Sequence, residues 1–141
     1  MIAGMTGSRK TAWVRSLLQQ ASEAICLPPE RIIWCYSQWQ SAYTEMLVAM
    51  LHIEFVKGIP TALEQDSYLD VKKRNLIVFD DQMIDASKDR RIVNLFTRGS
   101  YNCNLSVIYI VQNLFHQGKG SRSISLNSHY LTIIPLARMG Y

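Results

Sequence analysis

The chain has 141 residues, 48% hydrophobic and 18% charged, which supplies a core and excludes a disordered, charge-rich tail. Its 15 Lys and Arg against 11 Asp and Glu give a formal charge of +4, compatible with a polyanionic partner but not diagnostic of one. The longest apolar run, 46–51, is far short of a membrane span, and residues 1–6 hold no apolar stretch of signal-peptide length.

Taken in chain order, Met1, Ile2 and Ala3 leave room for almost no first strand before the glycine-containing segment 4–11. After Lys10, residues Trp13, Val14, Leu17, Leu18 and Ala21 recur at helical spacing and predict a helix with one apolar face. The turn signal Leu27-Pro28-Pro29-Glu30 leads into a predicted strand over 31–36, followed by a helix within 38–51 and a short strand over 53–56. A second strong strand covers 76–79, a helix 89–98 and a third strand 105–111. The loop carrying Lys119 and Arg122 leads to a last strand over 130–134, stopped by Pro135. The apolar runs are dense and β-branched, without polar alternation, as in strands buried on both faces of a parallel sheet. Strands alternating with helices predict one α/β domain over 1–141, whose ligands bind outside the carboxyl ends of the strands.

That position directs attention to three segments. Gly4, Met5, Thr6, Gly7, Ser8, Arg9, Lys10 and Thr11 follow the phosphate-binding pattern G-x-x-x-x-G-K-[ST] (Walker A) at Gly4, Lys10 and Thr11, with Arg9 in place of the second glycine. In such a loop backbone N–H groups and the helix N-terminus wrap a phosphate, the lysine neutralises it and the threonine hydroxyl ligates Mg²⁺. The alternative is a glycine-rich turn that merely starts a helix. Leu76-Ile77-Val78-Phe79-Asp80-Asp81 has the Walker B form, a hydrophobic strand ending in two carboxylates. Asp80 is the candidate Mg²⁺ ligand and Asp81 the candidate base for an attacking water; an acidic turn after a strand is the plainer alternative. Gln112, at the end of the third strand, is a candidate to contact the γ-phosphate or the water. The Mg²⁺-ATP site is thus expected at Lys10, Thr11, Asp80, Asp81 and Gln112.

These segments, with 95–100, 104–118 and 125–130, resemble the genome-packaging ATPases of Polinton/Maverick elements and adintoviruses, within the FtsK–HerA superfamily of P-loop proteins. The resemblance implies a three-layer P-loop fold of the additional-strand class and an ATP-driven motor. It further implies a homo-oligomeric ring that pumps double-stranded DNA into a capsid. The composition, the lack of a signal-peptide stretch and the scattered cysteines separately lead to the expectation of a soluble, intracellular domain, with cytoplasm and nucleus not distinguished. Three departures stand against the resemblance. Arg9 replaces a glycine. Tyr101-Asn102-Cys103 replaces a His-His-Arg that reaches a neighbouring subunit. Both ends are short, so the domain is expected to be incomplete. The rival expectation is a non-hydrolysing remnant that at most binds nucleotide or partner subunits.

The remaining features carry plainer readings. Lys72, Lys73, Arg74, Lys119 and Arg122 are read as solvated charges or DNA-phosphate contacts. His52, His116 and His129 share no metal-ligand spacing, and Trp13, Trp34 and Trp39 are read as packing residues. Cys26, Cys35 and Cys103 are odd in number and scattered, against both a disulfide framework and a zinc site.

Overall fold

The computed structural model describes residues 1–5, 8–65, 67–80, 89–99, 104–112 and 119–134, without the side chains of 98–99 and 119–121. Strand β1 (Ile2–Ala3) leads to α1 (Lys10–Gln19), a short α2 (Ala21–Ala24), β2 (Arg31–Tyr36), α3 (Ser41–Ala49) and β3 (Ile53–Lys57). A 3-10 turn (Thr61–Glu64) precedes β4 (Asn75–Phe79) and α4 (Arg90–Asn94), which runs on as a π turn over Leu95–Gly99. Then come β5 (Leu105–Val111), α5 (Lys119–Leu126) and β6 (Thr132–Ile133). The strands form one six-stranded sheet in the order β3-β2-β4-β5-β1-β6, and each neighbouring pair is parallel. The expected α/β architecture is present.

The strand interiors explain the centre of the sheet. All five residues of β4 are buried, and Ile33, Trp34 and Cys35 of β2 are sealed. Side-chain alternation splits them between two apolar layers. On one face Ile32, Trp34, Leu76, Val78 and Ile110 pack with Val14 and Leu18 of α1 and Tyr43 and Met46 of α3. On the other Ile33, Cys35, Ile77, Phe79 and Tyr109 pack with Ile92 of α4 and Ile124 of α5. Complete burial of an Ile or Phe side chain is worth about 1.5–3 kcal/mol, so these two layers dominate the fold. Strand β3 is an edge, and its Glu54 and Lys57 face solvent, polar residues that discourage further pairing.

Four expectations need correction. Trp13 is 41% exposed, because α1 seats Val14 and Leu18 and turns the tryptophan aside. Lys119 and Arg122 belong to helix α5 rather than a loop; the buried Ile124 anchors that helix on the sheet. Strand β6 is two residues long, matching the two residues of β1 with which it pairs. Strand β5 is not buried throughout: Ser106 is exposed and Val107 and Ile108 are half-buried.

The cause of that last difference is the pairing. Strand β5 meets β4 over Leu105–Tyr109 but meets β1 only at Ile110 and Val111. Among the described residues no strand lies beside Leu105–Ile108 on the β1 side, and a cavity of about 890 Å³ opens there, lined by Met1, Trp13, Val107, Ile108 and Tyr130 among others. Burial beside it lowers the pKa of the Met1 ammonium, which donates to the Tyr130 carbonyl at 2.8 Å.

Candidate functional site

The sheet order sets the site. Strand β5 lies between β1 and β4, so the segment after β1 and the end of β4 meet across one intervening strand at the carboxyl edge. Gly4 N–H donates to the Val111 carbonyl at 3.1 Å, tying the start of the loop to β5. A Cβ on Gly4 would stand 2.5 Å from the Ile134 carbonyl oxygen and 2.6 Å from Ser8 Oγ, so this position needs glycine for close approach.

Arg9 starts α1 with φ 62° and ψ 34°, in the left-handed region, and no side chain caps the helix. An L residue with a side chain costs on the order of 1–2 kcal/mol in that region; glycine carries no such cost. The Arg9 side chain is exposed. Arg9→Gly should therefore stabilise the fold by about 1 kcal/mol, seen as a thermal midpoint raised about 3 °C for a chain of this size. The same variant should bind ATP more tightly through closer backbone approach. Weaker binding in a titration with labelled ATP would assign the guanidinium a phosphate contact instead.

The first N–H groups of α1 have no intrahelical acceptor, and with no capping side chain they form an anion-seeking end. Ser8 lies beside them, buried, and its Oγ has no hydrogen-bond partner among the described residues. Lys10 is buried, and its Nζ donates to the Met5 carbonyl at 3.0 Å, the same oxygen that accepts from Ser8 N–H at 3.0 Å. The lysine is folded over its own loop, where a phosphate oxygen could replace the Met5 carbonyl as acceptor.

Asp80 follows β4 directly and is completely buried. Its backbone N–H continues the ladder to the Cys35 carbonyl at 3.1 Å. Its Oδ2 accepts from Thr11 Oγ1 at 3.5 Å and from the Tyr43 hydroxyl at 2.5 Å. The structure thus joins Thr11 and Asp80 across 69 positions of sequence, and adds Tyr43, which sequence reasoning missed. One carboxylate and one hydroxyl are hard oxygen donors. They fit Mg²⁺, which keeps most of its waters and takes further oxygens from substrate phosphates. Among the described residues no group of three or more His, Cys, Asp and Glu could hold an ion unaided.

Gln112 lies just past β5 at the same edge as Asp80 but is exposed. Thr6, Gly7, Asp81 and the segment Tyr101-Asn102-Cys103 lie outside the described residues. Of the basic residues, Arg74 is structural: it donates to the Pro28 carbonyl at 2.8 Å and pairs with Glu30 at 3.6 Å. Lys72 and Lys73 are exposed at the amino end of β4, opposite the site. Burial, with Glu54 adding, pushes the Cys35 thiol up to about 12, so it stays protonated and unreactive. Among the described residues no helix is long and apolar enough to cross a membrane. Neither a protein-family model nor a curated protein matches the sequence.

Proposed function

We propose that this chain binds Mg²⁺-ATP at the α1 N-terminus and hydrolyses it as the ATPase domain of a DNA-translocating motor, resembling the packaging ATPases of virus-like mobile elements. The observation that carries the reading is the approach of Thr11, beside Lys10, to Asp80 at 3.5 Å, two residues from separate motifs drawn to one buried carboxylate. The uncapped end of α1 and the buried Ser8 hydroxyl support phosphate as the ligand. In this reading the loop backbone and Lys10 bind the phosphates, while Thr11 and Asp80 hold Mg²⁺. Asp81 takes a proton from the attacking water, and Gln112 orients it. The bound ion supplies charge neutralisation at the phosphate oxygens. Double-stranded DNA as the translocated polymer and a ring of identical subunits come from the family resemblance.

The test is ATP hydrolysis by the full chain, measured with and without double-stranded DNA and Mg²⁺. Mg²⁺-dependent turnover stimulated by DNA is the expected result; turnover indifferent to DNA would remove the motor assignment. The strained Arg9 favours one second reading, a nucleotide-binding protein that does not hydrolyse. ATP binding with no phosphate release under any of these conditions would establish it.

A further inference from the structure

We infer that Tyr43 is a positioning residue that fixes Asp80 for its cation; the inference rests on the reading of Asp80 as the Mg²⁺ carboxylate. Tyr43 sits in the first turn of α3, fully buried, and its hydroxyl reaches Asp80 Oδ2 at 2.5 Å. The ring that carries this hydroxyl is walled on several sides. Its centroid lies 4.9 Å from that of Phe55, 5.4 Å from Trp39, 5.6 Å from Tyr36 and 5.8 Å from Trp34. A ring so enclosed has little freedom to swing, so the hydroxyl is delivered to one place. Core packing alone does not require a tyrosine here, since phenylalanine would fill the same space.

The recipient makes the hydroxyl informative. Asp80 is a completely buried carboxylate whose Oδ2 also lies 3.5 Å from the Thr11 hydroxyl. Two hydroxyls from two helices, α1 and α3, therefore converge on one oxygen and set the plane of the carboxylate. A hydrogen bond that orients a ligating carboxylate typically changes metal affinity about ten- to a hundredfold when removed. The Tyr43 hydroxyl is bonded to the carboxylate read as the metal ligand, so its effect should appear in the metal dependence of binding.

The experiment uses the full chain, a fluorescent ATP analogue and a titration with MgCl₂, repeated with the metal chelated. Tyr43→Phe should raise the Mg²⁺ concentration for half-maximal binding about tenfold and leave metal-free nucleotide affinity unchanged. Asp80→Asn should raise it at least as far. An unchanged Mg²⁺ requirement in Tyr43→Phe, with a raised one in Asp80→Asn, would overturn the role of Tyr43 and leave Asp80 as the metal carboxylate. Unchanged requirements in both variants, or a parent that binds no analogue, would overturn both readings. Equal losses of metal-free and Mg²⁺-dependent binding in Tyr43→Phe, or failure of that variant to fold by thermal unfolding, would make the hydroxyl a fold determinant and also overturn the proposal.

Discussion

Asp81→Asn should leave Mg²⁺-ATP binding intact and abolish turnover, a loss on the order of 10²–10⁴-fold, the usual worth of general-base assistance. The two neighbouring carboxylates have separate work in the proposed reaction. Asp80 is buried at the end of β4 and bonded to Thr11 and Tyr43, an arrangement that suits a fixed cation ligand. The proposed reaction assigns the attacking water to Asp81, the next residue in the chain. Asparagine keeps the size and removes the basicity, so the variant separates chemistry from binding. Asp80→Asn gives the opposite pattern, with weakened Mg²⁺-ATP binding. Both are measured by equilibrium binding of labelled ATP and by phosphate release in the presence of double-stranded DNA. If the parent binds nucleotide and releases no phosphate, and Asp81→Asn changes nothing, the ATPase assignment falls and the non-hydrolysing reading stands.

Gly4→Ala should destabilise the fold by about 3 kcal/mol, the upper part of the range for inserting a methyl into closed space. For a chain of this length that lowers the thermal midpoint by roughly 10 °C. The added Cβ would stand 2.5 Å from the Ile134 carbonyl oxygen, and that oxygen is not on a flexible side chain. The Ile134 N–H is bonded to the Ala3 carbonyl at 2.9 Å, and Gly4 N–H to Val111, so relief requires β1 and β6 to part. The second close atom, Ser8 Oγ, lies in the candidate phosphate loop, so the variant should also lose affinity for ATP. Thermal unfolding and labelled-ATP titration read the two effects separately. A shift under 2 °C would show that the β6 end yields to a methyl group without cost. Arg9→Gly, five residues on, should move stability the other way, because there the strain lies in the backbone angle and a glycine relieves it.

The strands were largely legible because their signal is local. Arg31–Tyr36 and Leu105–Val111 form over the expected residues, and β4 begins one residue earlier, at Asn75. Each is a compact β-branched run, and burial on both faces removes the polar alternation that would blur its ends. The glycine- and lysine-containing pattern is equally local, since it lies within eight consecutive positions at the start of one helix. Helix α5 was not. Among the described side chains of this helix, over 122–126, only Ile124 is sealed in the core and Leu126 is 73% exposed, so no apolar periodicity announces the helix.

Strands β2 to β5, the parallel α/β class, and the positions of Lys10, Thr11 and Asp80 at strand or helix ends could be read from the residues alone. The sheet order, which slips β5 between β1 and β4 and brings Thr11 to Asp80, emerges solely from the packed fold. That fold alone showed that Arg9 is left-handed, with φ 62°. It also decided that Tyr43, an ordinary apolar-face residue in the helix pattern, carries a polar contact to a carboxylate 37 positions away. Local propensity reports how a residue's backbone bends. Which side chains meet depends on how crossovers order the strands, and that order is set by the burial of whole faces.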